Sequence, residues 1–314
     1  MSLGKEEMLM ARTLSISKVS QVFFVLVFAL CASGVRAEER VVRIPVPDGT
    51  DLPGYFFCPE KSDASQLPAV VVAAGAGGVK LTQYRAYCRK LASRDFVTLL
   101  VDGSNFPQSL TPGADTWRKM PYHLWSWVNH VMVAFRLAFD HEWYVRNVRA
   151  AVDYVSSCPE VLPGKVAVSG FSQSANAALA EASLDPRVKC IVWNNGGWPW
   201  IIPYDPDRLP PVLIFHGGKD GVYDVKYARE LESQIKSVGR DYECYIYPKQ
   251  RHMFTVFFDL ENPPKTPEHA LNSSFERLVG FLTRILSERA STAKRRVAVH
   301  REPYKLPELR MGEP

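Results

Sequence analysis

The sequence predicts an α/β fold in which helices cover both faces of a mostly parallel β-sheet. From Glu39 onward, short runs of apolar and β-branched residues alternate with longer amphipathic segments. Several of these runs are apolar at every position, as in residues 69–73 (AVVVA), which is typical of strands buried on both faces. Strands of this kind, separated by helices, assemble into a parallel sheet between two helical layers.

Eight segments are predicted to be strands, beginning near residue 41 and ending near residue 247. They are residues 41–46, 54–58, 69–73, 96–101, 165–169, 189–193, 211–215 and 242–247. The first two are expected to form an antiparallel pair that opens the fold.

Four helices are predicted between or after these strands. They are residues 81–94, 143–157, 173–183 and about 267–287. In the first of them, Tyr84, Cys88 and Leu91 recur at roughly helical spacing. Right-handed crossovers leave the carboxyl ends of parallel strands on one edge of the sheet, where ligands normally bind. Residues that follow a strand are therefore the first candidates for a functional site.

The composition is that of an ordinary globular protein. The chain has 314 residues, 46% of them hydrophobic and 23% charged, and this size allows a full core without metal ions or disulfides. We expect one domain over residues 38–290. The formal net charge of +5 is spread along the chain, with no Lys/Arg block interleaved with aromatics. Nucleic-acid binding is therefore not expected.

Residues 1–37 are predicted to be a secretory signal peptide. Arg12 and Lys18 carry positive charge ahead of the unbroken apolar run at residues 22–32, and Val35 and Ala37 place small residues before a cleavage site. The apolar run is too short to span a bilayer comfortably, although an uncleaved N-terminal anchor is the alternative. We expect cleavage near Ala37, a periplasmic or secreted product, and membrane contact only during export.

Removal of the signal segment leaves an odd number of cysteines. They are Cys58, Cys88, Cys158, Cys190 and Cys244. An oxidising compartment permits disulfides, but the sequence does not assign the pairs. Cys190 lies within a predicted strand and is expected to be buried and unpaired. No CxxC pair or Cys/His group suggests a metal site, so neither a metal nor a cofactor is expected.

A candidate nucleophile follows the strand at residues 165–169. Residues 170–174 read GFSQS and lead directly into an Ala-rich helix. A sharp strand-to-helix turn exposes the hydroxyl of its central serine, here Ser172, and needs small residues two positions before and after it. Gly170 meets this requirement, whereas Ser174 replaces the usual second glycine. The alternative for Ser172 is a plain helix N-cap.

Two further residues complete a candidate catalytic triad. Asp220 follows the strand within HGGKD, and His252 follows the last strand within PKQRH. The order Ser, Asp, His is the one that a triad on such a sheet uses, with histidine as base and aspartate as its orienting acid. Taken singly, Asp220 could be a turn former and His252 an ordinary loop residue. Taken with Ser172, they favour nucleophilic catalysis.

The loop at residues 74–78 (AGAGG) follows the strand AVVVA and is predicted to supply an oxyanion donor. The backbone N–H groups of Ala76 and Gln173 are assigned this role, and Gly75 gives room for close approach. A phosphate cradle is the alternative, but the loop lacks the spaced Gly-Lys-Ser/Thr of a P-loop.

Aromatic residues suggest where a substrate binds. The insert at residues 105–142 contains Trp125, and Trp198 and Trp200 follow the strand at residues 189–193. All three are candidates for the substrate pocket. The alternatives are that the insert is a sheet-covering helix and that the two later tryptophans fill space beside the serine turn. The basic tail, residues 291–314, is expected to be disordered.

From about residue 40 to residue 288, the chain resembles the dienelactone-hydrolase-like branch of the α/β-hydrolase family. The resemblance rests on AAGAGG after the third strand, GFSQSA around Ser172, HGGKDGVY around Asp220 and RHMF at His252. It implies an eight-stranded, mostly parallel sheet and cofactor-free hydrolysis of ester-type bonds. One departure is that the enzyme naming the branch has a cysteine nucleophile where this chain has Ser172.

These observations lead to the expectation of a secreted or periplasmic serine hydrolase that cleaves a small-molecule carboxylic ester through an acyl-enzyme. A peptidase or amidase of the same fold is one alternative. Peptidases of this type usually carry a large additional domain, for which this chain has no room. A non-catalytic binding protein on a hydrolase scaffold is the other alternative, but a binding protein has no need of all three triad residues.

Overall fold

A computed structural model describes residues 37–60, 62, 64–75, 78–80, 82–102, 141–256 and 268–287 of the chain. Within these residues it contains eight strands and five α-helices. The strands are β1 (Ala37–Pro45), β2 (Asp51–Pro59), β3 (Leu67–Ala73), β4 (Val97–Val101), β5 (Val161–Phe171), β6 (Val188–Asn194), β7 (Val212–Gly217) and β8 (Tyr242–Tyr247). The helices are α1 (Thr82–Ala92), α2 (His141–Ser157), α3 (Gln173–Leu184), α4 (Lys226–Ser237) and α5 (Glu268–Leu286).

All eight strands belong to one sheet, in the order β1-β2-β4-β3-β5-β6-β7-β8. β1 pairs antiparallel with β2, and β2 pairs antiparallel with β4. The remaining pairs, from β4 through β3 and β5 to β8, are parallel. The predicted fold class and the opening antiparallel pair are therefore both confirmed.

The sheet has an apolar layer on each face, because neighbouring residues of a strand point to opposite sides. On one face, Val71 and Val168 join a core that includes Val152 of α2 and Leu179 of α3. On the other face, Val70 and Val72 join residues of α1 and α5, among them Leu91, Phe275 and Leu282. Burial of both faces explains why the central strands are apolar at every position.

Helix α4 is the one described α-helix that the sequence did not lead us to predict. Its sequence, KYARELESQIKS, is mostly charged or polar, so its apolar positions form only a narrow stripe. Ala228, Leu231 and Ile235 make up that stripe and are fully buried. Their i, i+3, i+7 spacing is a helical signal that could have been read from the sequence.

Several predicted segments lie wholly or mostly outside the described residues. They are the signal segment except Ala37, which begins β1, the insert except its last two residues in α2, and the basic tail. Among the described helices, none is both long enough and apolar enough to cross a membrane.

The five cysteines after residue 37 all lie in the described part of the chain, and no disulfide joins any two of them there. Cys190 is fully buried within β6, as its position in an apolar strand predicted. Burial raises the pKa of the Cys190 thiol above its ordinary value, which keeps it in the unreactive protonated form.

Candidate active site

Ser172 occupies the single position between the end of β5 and the start of α3. Its backbone has φ 55° and ψ −125°, a region that non-glycine residues rarely adopt. Strain of this kind persists where the surrounding structure holds it, and it turns the serine side chain out of the strand. A Cβ added at Gly170 would lie 2.6 Å from Cα of Ala175, so the turn admits only glycine at that position.

The Ser172 hydroxyl makes no capping hydrogen bond to α3. Instead, Ser172 Oγ lies 3.1 Å from Nε2 of His252. The structure therefore does not support the reading of Ser172 as a simple N-cap, since a capping serine would bond to backbone N–H groups of its own helix.

His252 links the serine to Asp220. Nδ1 of His252 lies 2.7 Å from Oδ2 of Asp220. Because a carboxylate only accepts hydrogen bonds, the proton of the neutral imidazole is assigned to Nδ1, and Nε2 is left to accept from Ser172. The Asp220 side chain is fully buried, whereas the His252 side chain remains 17% exposed. The structure thus brings all three predicted triad residues into one hydrogen-bonded chain.

Asp220 is surrounded by donors. Its Oδ1 accepts from the backbone N–H groups of Val222 at 2.8 Å and Tyr223 at 2.9 Å, and its Oδ2 also accepts from Nδ2 of Asn195 at 3.2 Å. Burial acts to raise the pKa of Asp220, but the hydrogen bond and charge of His252 and the Tyr223 N–H outweigh it, so the pKa is lowered. Asp220 is therefore ionised at neutral pH.

His216, at the end of β7, is a second histidine beside the acid. It is fully buried, its Nε2 donates to the Tyr223 carbonyl at 3.1 Å, and the same nitrogen lies 3.6 Å from Oδ2 of Asp220. Burial lowers the pKa of His216 despite the nearby carboxylate. His216 is therefore neutral, and it does not compete with His252 for the negative charge of Asp220.

Sequence analysis did not single out Asn195, His216 or Tyr223. Each lies within three residues of a predicted residue or strand end, in the segments WNNGG (residues 193–197) and HGGKDGVY (residues 216–223). The signal was their position at the carboxyl edge of the sheet. Nothing in their spacing indicates that their side chains or backbone atoms turn toward Asp220.

The loop after β3 lies directly against the serine. A Cβ added at Gly75 would come within 2.9 Å of Cβ of Ser172, and the Gly75 N–H donates to Oη of Tyr84 at 2.9 Å. Gln173 is the first residue of α3, so its backbone N–H has no hydrogen-bond acceptor within the helix. Ala76, the other predicted oxyanion donor, lies outside the described residues.

Ser174 occupies the position at which this turn usually has a second glycine. Its side chain is fully buried, and its hydroxyl donates to the carbonyl of Ala74 at 2.6 Å. The residue is small enough for the turn, and its hydroxyl joins the start of α3 to the loop after β3.

The three candidate pocket tryptophans have different outcomes. Trp198 is partly buried, with its ring 5.3 Å from that of Tyr223, which in turn lies 5.6 Å from the His252 ring. Trp200 is 61% exposed, and within the described residues no ring contact joins it to this group. Trp125 lies outside the described residues.

Two other features of the described residues bear on chemistry. No group of three or more His, Cys, Asp and Glu side chains there is arranged to hold a metal ion. A cavity of about 310 Å³ is lined by residues near the starts of β6, β7 and β8, including Lys189, Arg208 and Arg240. It opens at the amino ends of the strands, whereas Ser172 lies at a carboxyl end.

The strand order, the helices on both faces and the serine turn at a strand end define the α/β-hydrolase fold. The chain belongs to the dienelactone hydrolase family, whose model matches residues 52–286.

Curated relatives match only part of their own length. An uncharacterized protein of Pseudomonas aeruginosa is 27% identical over 208 residues, which are 66% of this chain and 47% of that protein. A thiohydrolase of Arthrinium phaeospermum is 33% identical over 119 residues, which are 35% of each. The chain thus spans about half or less of the length of these relatives.

Solved structures resemble the whole fold. A dienelactone hydrolase-like promiscuous phosphotriesterase from metagenomic libraries aligns with a TM-score of 0.62 at 20% identity, covering 80% of this chain and all of that one. At this identity the likeness shows the shared fold and does not identify the substrate.

Proposed function

We propose that the protein is a serine hydrolase that cleaves carboxylic esters through an acyl-enzyme. The observation that carries the proposal is the continuous chain from Ser172 Oγ to His252 Nε2, at 3.1 Å, and from His252 Nδ1 to Asp220 Oδ2, at 2.7 Å. A hydroxyl is a poor nucleophile unless an adjacent base removes its proton, and this chain supplies such a base.

In the first half of the reaction, Ser172 Oγ attacks the ester carbonyl while His252 Nε2 takes its proton. Ionised Asp220 stabilises the imidazolium and keeps its ring oriented. The carbonyl oxygen gains negative charge, and we assign its stabilisation to the backbone N–H groups of Gln173 and Ala76. His252 then protonates the leaving alcohol, and a water molecule activated by the same histidine releases the acid in the second half.

Substrate class and location are also part of the proposal. The family membership supports hydrolysis of an ester-type bond, and the relative named as a thiohydrolase makes a thioester the first variant to test. The signal pattern in residues 1–37 supports a periplasmic or secreted site of action. A small-molecule ester and no cofactor are expected.

The proposal is tested by labelling the purified protein with a fluorescent fluorophosphonate and by measuring turnover of p-nitrophenyl esters of increasing acyl length, with one acyl thioester alongside. Ser172→Ala is expected to abolish both labelling and turnover. Ser183→Ala is the matched control, because Ser183 is also a buried serine of α3 but its hydroxyl donates to Ala180 within the helix.

Folded wild-type protein that neither labels nor hydrolyses any member of the panel would contradict the proposal. A non-catalytic binding protein would then be the better reading. Labelling retained in Ser172→Ala would instead place the nucleophile elsewhere.

A further inference from the structure

Two buried asparagines end strand β6 at the edge of the sheet that carries the candidate triad. Asn194 is the last residue of the strand and Asn195 follows it, and they are 1% and 0% exposed. A buried amide is unfavourable unless its polar groups find hydrogen-bond partners. The partners of these two side chains therefore indicate what the pair does.

Asn194 joins the serine turn to the segment that follows the candidate base. Its backbone carbonyl accepts from the N–H of Ser172 at 2.9 Å, and its Nδ2 donates to the carbonyl of Gly170 at 3.2 Å. Its Oδ1 accepts from Oγ1 of Thr255 at 3.4 Å, and Thr255 lies in the segment just after His252. The end of β6 is thus fixed relative to both the serine and the histidine.

Asn195 is held through its backbone and reaches the acid with its side chain. Its N–H donates to the carbonyl of Phe215 in β7 at 2.9 Å, and its φ is 49°. This left-handed conformation is uncommon for residues with a side chain, and asparagine is among the few that tolerate it. In that conformation its Nδ2 lies 3.2 Å from Oδ2 of Asp220. Because a carboxylate only accepts hydrogen bonds, the group that faces it is assigned as the NH₂.

Asn195 and His252 bond to the same oxygen of the acid. Oδ2 of Asp220 accepts from Asn195 at 3.2 Å and lies 2.7 Å from Nδ1 of His252. Oδ1 accepts instead from the backbone N–H groups of Val222 and Tyr223. A carboxylate oxygen has two lone pairs, so the two side chains together satisfy Oδ2. The amide therefore fixes the plane of the carboxylate and takes a share of the charge that faces His252.

The orientation of the Asn195 amide is set by the acid. Its Oδ1 is buried and has no hydrogen-bond partner among the described residues, which costs stability. Within the same part of the chain, the side chain makes its hydrogen bond to Asp220. Unpaired buried polar atoms and unusual backbone conformations concentrate at functional sites, where the surrounding structure maintains them.

We propose that Asn195 is a positioning residue of the candidate triad, whose amide orients Asp220 and takes part of its negative charge away from His252. The inference rests on the proposed serine mechanism. Asn195 exchanges no proton in either half of that reaction, and it acts only through the carboxylate. Its amide holds Oδ2 in line with Nδ1 of His252, and it limits how strongly the carboxylate stabilises the imidazolium.

The test is Asn195→Gly, which removes the amide and keeps the freedom to adopt a positive φ. We expect kcat for the best p-nitrophenyl ester to fall about tenfold to a hundredfold, the range for a hydrogen bond to a charged group, with KM within about twofold. The pH at which kcat/KM falls by half on the acid side should rise by about one unit, because the whole charge of Oδ2 then stabilises the His252 imidazolium.

Two neighbours of the acid in the described part of the chain, His216 and Tyr223, also titrate, and neither accounts for such a rise. Nε2 of His216 lies 3.6 Å from Oδ2 of Asp220, but burial lowers the pKa of His216 and keeps it neutral. Tyr223 reaches Asp220 through its backbone N–H, and burial raises the pKa of its phenol. The acid side of the profile therefore reports on His252.

Two further variants separate the amide from the backbone. Asn195→Ala should change kcat and the acid side of the profile as Asn195→Gly does, and it should also lower the urea midpoint, because alanine is strained at a positive φ. Asp95→Ala is the matched control, since Asp95 has a φ of 62° in the turn before β4, at the opposite edge of the sheet. It should lower the urea midpoint and leave kcat and the pH profile unchanged.

Each outcome bears on one proposal or on both. With Ser172→Ala inactive, a folded Asn195→Gly variant with unchanged kcat, or with reduced kcat and an unmoved acid side, would overturn the role of Asn195 and leave the serine mechanism standing. A wild type that neither labels nor turns over would overturn both. Should Asn195→Gly fail to unfold cooperatively, a crystal structure of the wild type decides. A separation of at most about 3.5 Å between Asn195 Nδ2 and Asp220 Oδ2 is expected, and one beyond about 4 Å would overturn the role.

Discussion

The hydroxyl of Ser174 donates a 2.6 Å hydrogen bond to the carbonyl of Ala74, across 100 positions of sequence. One partner is the second residue of helix α3, two positions after the candidate nucleophile Ser172, and the other follows β3 at the start of the candidate oxyanion loop. In the proposed mechanism these two segments enclose the reacting carbonyl, and they are joined by a residue that replaces the glycine usual in this turn. A glycine there could not make this bond.

Ser174→Ala is expected to destabilise the protein and to slow it. Loss of the hydroxyl leaves the Ala74 carbonyl short of a buried donor, which costs about 1–3 kcal/mol in free energy of unfolding. Urea denaturation measures this cost, and ester turnover should fall because the loop after β3 loses its link to α3. Ser274→Ala, in which the lost bond from the buried Ser274 hydroxyl to the Leu271 carbonyl is confined to α5, should cost less than about 1 kcal/mol. Equal stability of the two variants would contradict the role of Ser174.

Gly75→Ala is expected to lower turnover at least about 100-fold, a loss comparable to that of an oxyanion donor. The new Cβ would lie 2.9 Å from Cβ of Ser172 and 3.0 Å from the Phe171 carbonyl, so the loop must move away from Ser172. Steady-state ester hydrolysis measures the effect.

Gly221→Ala provides the comparison for this change. Gly221 follows the acid directly, and an added Cβ there meets no atom within 4 Å. Its turnover should equal that of the wild type. A Gly75→Ala variant with full activity would show that the loop does not approach the serine as described.

Asp220→Asn is expected to reduce turnover about 10⁴-fold while the protein stays folded. An amide can present its NH₂ to His252 Nδ1, which moves the ring proton to Nε2 and leaves no acceptor for the Ser172 proton. Single-turnover kinetics and thermal unfolding measure the two effects. Asp224→Asn changes an exposed carboxylate of the same loop and should leave turnover unaffected.

The pH dependence of stability should carry a contribution from Glu181, which is fully buried in α3 with its Oε2 3.0 Å from Nη2 of Arg149. Burial raises the pKa of Glu181 to about 7, against the opposing effect of Arg149. An acid whose pKa is higher in the folded state binds protons more tightly when folded, so stability falls as pH rises from about 4.5 to 7 and then levels off.

Glu181→Gln removes this titration. The free energy of unfolding of the variant minus that of the wild type should therefore increase between pH 5 and pH 8, because only the wild type loses stability over this range. Urea denaturation at the two pH values measures the difference. A difference that stays constant with pH would show that Glu181 is already ionised at pH 5.

The fold was predicted from two local features of the sequence, namely the apolar strand segments and the small residues around the serine turn. Runs such as AVVVA are apolar at every position because both faces of the sheet are covered, and the structure confirms that arrangement. The strand–serine–helix segment around Ser172 could be read locally because the turn itself demands small neighbours, of which Gly170 is one. Helix α4 was missed because its three buried apolar residues are diluted by charged ones.

Residue order alone placed Ser172, Asp220 and His252 at carboxyl ends of strands, since parallel topology sends those ends to one edge. It could not provide the distances between them, because each depends on backbone packing between segments tens of residues apart. The same holds for Tyr223, whose ring packs against Gly197 and Trp198 from another strand end, and for Trp200, which is left 61% exposed. Local patterns specify which segments form strands and turns, but side-chain direction at the site follows from long-range close packing.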